Sequence, residues 1–104
     1  MPLVTDADEA LVVARLSRDV ATTIGAGHEA RIRRAAAHVR PFRNEVDTYI
    51  AKVVEDVQQE FHDLFIDTSW PACPLHHRHP LWLRDGQWTC AESRVPVAPL
   101  GQLR

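Results

Sequence analysis

Cysteine is scarce in this chain, lysine is scarcer, and long apolar runs are missing. Two cysteines and one lysine occur among 104 residues. No apolar stretch approaches the roughly 20 residues that a membrane-spanning helix requires, so no membrane contact of that kind is expected. The start, Met1-Pro-Leu-Val-Thr-Asp6-Ala-Asp8-Glu9, is acidic and lacks the basic head and apolar core of a secretion signal. A cytoplasmic protein is expected on that basis. In that reducing compartment two cysteines bind metal or stay reduced more often than they form a disulfide. Strong net charge is absent too: the formal −2 favours neither nucleic acid nor an anionic membrane.

The composition that remains, 45% apolar and 25% charged, is that of a folded soluble chain and too apolar for global disorder. The length suits one small domain with a modest core. Eleven of the twelve basic residues are arginine and thirteen residues are alanine, which reads as the codon bias of a GC-rich genome. Charge divides the chain: residues 1–23 sum to −2, 24–43 to +4, 44–67 to −6 and 68–104 to +2. A basic segment followed by an acidic one suggests two helices that face each other or a partner, with two solvated faces as the plainer alternative.

Residues 1–63 read as helical. A first helix is expected to begin near Thr5 or Asp6, with Asp6 and Glu9 approximating a capping box. Leu11, Leu16, Val20 and Ile24 form its apolar stripe, Val12 and Val13 leave a short strand open, and Gly25 and Gly27 supply the stop. A second segment at about 28–40 places Ile32, Ala35, Ala36 and Val39 on one side. The third, over 44–62, has Val46, Tyr49, Ile50, Val53, Val54, Val57 and Phe61 at helical spacing. Pro41 either opens this helix or kinks one long helix running from 28 to 62. Arg31, Arg33, Arg34, Arg40 and Arg43 have the charge to clamp phosphates, but no aromatic interleaves them before Phe42 and no recognition-helix signature is present. A solvated face, or a pairing surface for the acidic helix, is the favoured reading.

Residues 64–104 read as a small β part, and they carry the chemistry. Alternation from Leu64 to Trp70 suits a short strand that Pro71 and Pro74 end. Asp85-Gly86 is a type I′ hairpin signal between Leu81–Arg84 and Gln87–Cys90. Its register sets Arg84 against Gln87, Leu83 against Trp88 and Trp82 against Thr89, with Leu81, Leu83, Trp88 and Cys90 on one face. Extending the strand back through Pro80 brings His79 to that face, diagonal to Cys90. Both cysteines and three of the six histidines lie within residues 73–90. Thiolate and imidazole are the donors of structural zinc sites, and Cys73 and His76 have the x2 spacing of a knuckle. Cys73, His76, His79 and Cys90 therefore make a candidate closed zinc set, which fastens a fold and activates no water. His77 is the substitute should the knuckle use x3 spacing, and Glu92 the substitute should His79 not serve.

Three other readings compete. The cysteines are buried reduced thiols beside decorative histidines, or they form a Cys73–Cys90 disulfide. In the third, Cys73 with His76, or the His76–His79 cluster, is catalytic, though no Gly-rich oxyanion turn or orienting carboxylate accompanies it. Trp70, Trp82 and Trp88 read as packing for a small sheet, and Val95-Pro-Val-Ala-Pro-Leu100 as an edge strand, where proline is tolerated.

The pattern Trp70-Pro71-x-Cys73-Pro74-x-His76-x-x-His79-Pro80-Leu81, then Gly86-x-Trp88-x-Cys90, then Val97-Ala98-Pro99-Leu100-Gly101 resembles a C-terminal signature of small bacterial proteins of uncharacterised function. It is also similar to half of a zinc ribbon, a knuckle followed by a hairpin, and it lacks a second knuckle at 90–93. The resemblance covers about a third of the chain and implies a module that stabilises a fold or presents a surface to protein or nucleic acid. The expectation is an α+β domain, with two or three amphipathic helices and a small antiparallel sheet clasped by zinc. The function expected is non-enzymatic binding through protein contacts, a homo-oligomer included. A nucleic-acid-associated protein and a small metal-dependent hydrolase are the alternatives.

Overall fold

A computed structural model describes residues 3–76 and 78–104 of the chain. Helix α1, Asp6–Thr23, begins where Thr5 caps it. The Thr5 hydroxyl accepts the Asp8 N–H at 3.2 Å and Asp8 accepts the Thr5 N–H at 2.8 Å, so the capping box is Thr5 with Asp8. The expected Asp6–Glu9 box does not form. Those two carboxylates accept from the Arg40 guanidinium at 2.5 and 3.0 Å instead, tying the end of the next helix to the start of this one. Val12 and Val13 lie buried inside α1, not on a strand, and Leu11 is 41% exposed. The buried stripe is Val12, Val13, Leu16, Asp19 and Val20: Leu16 and Val20 lie in it as expected, Ile24 packs against it partly buried, and Val12 and Val13 take the place of Leu11.

Helix α2, Glu29–Val39, buries Ile32, Ala36 and Val39. Pro41 neither opens a helix nor kinks one. It sits in a 3₁₀ turn, Arg40–Phe42, and Arg43 is extended before α3, Val46–Asp63, begins. A proline without an N–H cannot continue the α2 ladder, so the chain breaks there and re-enters helix four residues later. Helix α3 buries Tyr49, Val53, Val54, Val57 and Phe61, the expected stripe. The three helices pack on one another, and the buried Tyr49 hydroxyl donates to the Ala36 carbonyl at 3.0 Å, joining α3 to α2.

The strand expected over 64–70 is absent; the segment is a chain of turns. The end of α3 dictates this. The N–H groups of Leu64, Ile66 and Asp67 donate back to Glu60 and Phe61 carbonyls, and Phe65 adopts a left-handed φ of 56°. A backbone committed to satisfying the last helical carbonyls cannot run extended.

The hairpin forms as its turn predicts. Asp85 and Gly86 both have positive φ, 51° and 75°, and strands β1, Trp82–Arg84, and β2, Gln87–Thr89, pair in the expected register. The tail adds β3, Pro96–Pro99, antiparallel to β2 on one edge of a three-stranded sheet. The architecture is α+β, three helices followed by a small antiparallel sheet. Trp88 and Trp70 are buried, and Phe61, Trp70 and Trp88 meet edge to face at 5.4 Å spacings, running from α3 into the sheet. Trp82 instead lies half exposed beneath the Arg84 guanidinium. Gln58 on α3 donates to the carbonyls of Trp70 and Leu81 at 3.1 and 2.8 Å, which seats the cysteine-bearing segment on the helix. No helix among the described residues is long and apolar enough to cross a membrane.

Candidate metal centre

Two short backbone turns carry the cysteines. In the first, Leu81 N–H donates to the Pro71 carbonyl at 2.7 Å and Cys73 N–H to that of His79 at 3.0 Å, so 71–73 and 79–81 run as paired arms. Between them His79 N–H donates to the His76 carbonyl at 2.9 Å. In the second, Cys90 N–H donates to Val95 and Arg94 N–H to Cys90, both at 2.9 Å, with Arg94 left-handed at φ 61°. The Ser93 N–H donates to Cys90 Sγ at 3.4 Å. Residues 90–95 therefore form a turn whose Ser93 N–H faces the Cys90 sulfur.

Both thiols are free and about 1% exposed. Donors around Cys90 favour its thiolate and lower its pKa to about 7. The Ser93 hydroxyl contributes most, then the Ser93 N–H. Burial opposes them, and the Glu92 N–H and the Cys73 thiol add to the lowering. Neither cysteine forms a disulfide.

The histidines stand farther out. His76 is half-buried, and its Nδ1 lies 3.2 Å from the Glu92 carboxylate, a proximity that spans the two turns. His79 is exposed, with its ring 6.3 Å from that of His76. It does not extend β1, because Pro80 bridges back to Ala72 and the hairpin starts at Trp82. A proline lacking its N–H ends a ladder more readily than it prolongs one. His77 lies outside the described residues. Among those described, no three His, Cys, Asp or Glu side chains are gathered closely enough to hold an ion as they stand. The donor types still suit zinc: two buried thiols, a Ser93 N–H on Cys90 Sγ, and the imidazoles of His76 and His79 on the turn that carries Cys73.

The arginine segment is largely paired within the molecule. Arg31 reaches Glu60 on α3, Arg33 reaches Glu29 at 2.6 Å, and Arg40 holds α1. Arg34 and Arg43 form no ion pair among the described residues. Two features escaped sequence reasoning: the Glu92–His76 contact and the Ser93 donors to Cys90. The Cys90-x-x-Ser93 spacing was the available signal for the second. No protein-family model, curated protein or solved structure matches the chain, so its own residues and geometry carry what can be said of function.

Proposed function

We propose that this chain is a non-enzymatic, zinc-stabilised binding module that acts through protein contacts in the cytoplasm. One observation carries the reading: two buried, free thiols are delivered by separate turns, and the Cys73 thiol is among the groups that lower the pKa of Cys90. Cys73, His76, His79 and Cys90 would hold the ion, with His77 as the substitute for x3 spacing in the knuckle and Glu92 as the substitute for His79. Bound zinc supplies a cross-link between the turns and leaves no open position for chemistry. Beside the first turn runs a groove of about 630 Å³, lined among others by Trp70, Pro71, Leu81, Val97, Ala98 and Leu103, which offers an apolar surface to another protein.

The intramolecular pairing of Arg31, Arg33 and Arg40 supports protein contact over phosphate binding. The test is metal content. Protein purified under reducing conditions should carry about one zinc per chain, and Cys73→Ser and Cys90→Ser should each lose it. Metal-free protein that stays fully folded, with thiols that react freely, refutes the reading.

A further inference from the structure

Leu64 and Phe65 lie in the turn that ends α3, and both face water, at 54% and 85% exposure. Phe65 is also held at a left-handed φ of 56°, a conformation that a bulky side chain adopts only under constraint. The constraint is visible. The N–H groups of Leu64, Phe65 and Ile66 donate to the carbonyls of Glu60, His62 and Phe61 at 3.0, 3.1 and 2.9 Å, and Ile66 packs on the core. A well-tied turn thus commits a strained backbone to an aromatic ring that covers almost nothing within its own chain. Strain at so exposed an apolar residue points to a partner rather than to folding.

The groove of about 630 Å³ beside the first turn begins two residues farther along, with Asp67 and Trp70 in its lining and Val97 and Arg104 among the others. Its size suits a phenyl ring with a neighbouring leucine. Charge is complementary as well: Asp63, exposed, precedes the Leu64–Phe65 pair, and Arg104, also exposed, lines the groove. A knob that stands beside its own groove lets two copies exchange knobs about a two-fold axis, an arrangement that closes and does not propagate. We propose that the occupant of the groove is a second copy of this chain: Phe65 and Leu64 of each copy enter the groove of the other, with Asp63 facing Arg104 across the contact. This names the partner in the protein-contact reading above and is independent of its zinc part. A contact built on two phenyl rings of about 150–250 Å² each, with their leucines, falls short of the roughly 1,200–2,000 Å² of a standard interface. The dimer is therefore expected to be weak.

Sedimentation equilibrium of the full reduced chain, at concentrations up to about 1 mM, is the test. Wild type should dimerise with a dissociation constant between about 1 μM and about 1 mM. Phe65→Gly should weaken the dimer by more than about tenfold. Its urea midpoint, read on dilute monomer, should be no lower than that of wild type, because glycine adopts a left-handed φ without strain. Val97→Glu, at a 37% exposed position in the groove lining, should weaken the dimer to a similar degree. Mixing the two variants restores one intact knob-in-groove contact, so the mixture should associate more tightly than either variant alone. Wild type that stays monomeric overturns the exchange and leaves the metal-content test of the zinc reading untouched. Either variant dimerising as tightly as wild type overturns it, as does a mixture no tighter than its components. A lowered urea midpoint for Phe65→Gly gives the ring a role within its own chain and overturns it too.

Discussion

A carboxylate removed from water is tolerated only when donors replace its hydration, and Asp19 has three close at hand. Trp88 Nε1 donates to it at 2.8 Å, Gly101 N–H at 2.6 Å and Leu103 N–H at 2.9 Å. The preceding residue, Arg18, donates to the carbonyls of Gly101 and Leu103, so the tail is gripped through both its N–H and C=O groups. One residue of α1 thereby fixes the strand carrying Trp88 and the end of the chain. Asp19→Ala would leave three buried donors without an acceptor and should cost about 3–5 kcal/mol, the loss typical of a broken buried charged network. Urea denaturation measures it, and a shift under about 0.5 kcal/mol would contradict the latch. Gly101 belongs to the same contact: its φ is 93°, and an added Cβ would stand 2.9 Å from Arg15 Cγ. Gly101→Ala should therefore destabilise as well, by more than about 1 kcal/mol.

Helix α3 is the element against which the others are placed. Val53 and Val57 are fully buried on it, so Val53→Asp should destabilise by several kcal/mol through an unpaired buried charge. A loss of only a few tenths would mean that this face is open to solvent and free for a partner. Tyr49 provides a test in alkali. Burial is the main cause that pushes its hydroxyl up to about 12, above the ordinary value near 10. A raised acid is protonated more firmly in the folded state, so its contribution is complete below about pH 10 and declines as pH rises towards 12. Wild type should therefore lose stability over that window faster than Tyr49→Phe, measured as the difference between their urea midpoints. Parallel curves would show that Tyr49 is not held by α2. The segment after α3 shows how one element overrides the next: its alternating residues would suit a strand, but the helical carbonyls of Glu60 and Phe61 claim its N–H groups.

At the scale of the whole molecule, charge is closed inward. Arg31 on the basic helix meets Glu60 on the acidic one, and Arg40 meets Asp6 and Glu9. Nucleic-acid binding should accordingly be no tighter than the roughly 10⁻⁴–10⁻⁶ M of non-specific association. Submicromolar binding that falls steeply with salt, measured by fluorescence anisotropy, would reverse that reading. If the zinc reading holds, a chelator added to metal-loaded protein should act first on the sheet and the two turns, where the ion would be held, although one core joins them to the helices. Amide exchange should then quicken across 71–100 before it quickens across α3. Simultaneous loss in both regions would show that the helices depend on the metal centre too.

Local patterns determined much of this fold. Helical spacing placed α2 and α3, and Asp85-Gly86 set the hairpin register residue by residue, because each depends on neighbours a few positions away. The clustering of Cys73, His76, His79 and Cys90 likewise marked where to look. Sequence could not place partners distant along the chain. That Asp19 holds Trp88 and Leu103, that Glu92 faces His76 while His79 turns outward, and that the Cys73 thiol helps to lower the pKa of Cys90 follow from how turns dock on α3. Such contacts join residues that no periodicity relates. Only the packed core, with Gln58 seating the first turn and β3 closing the second, brings them within reach.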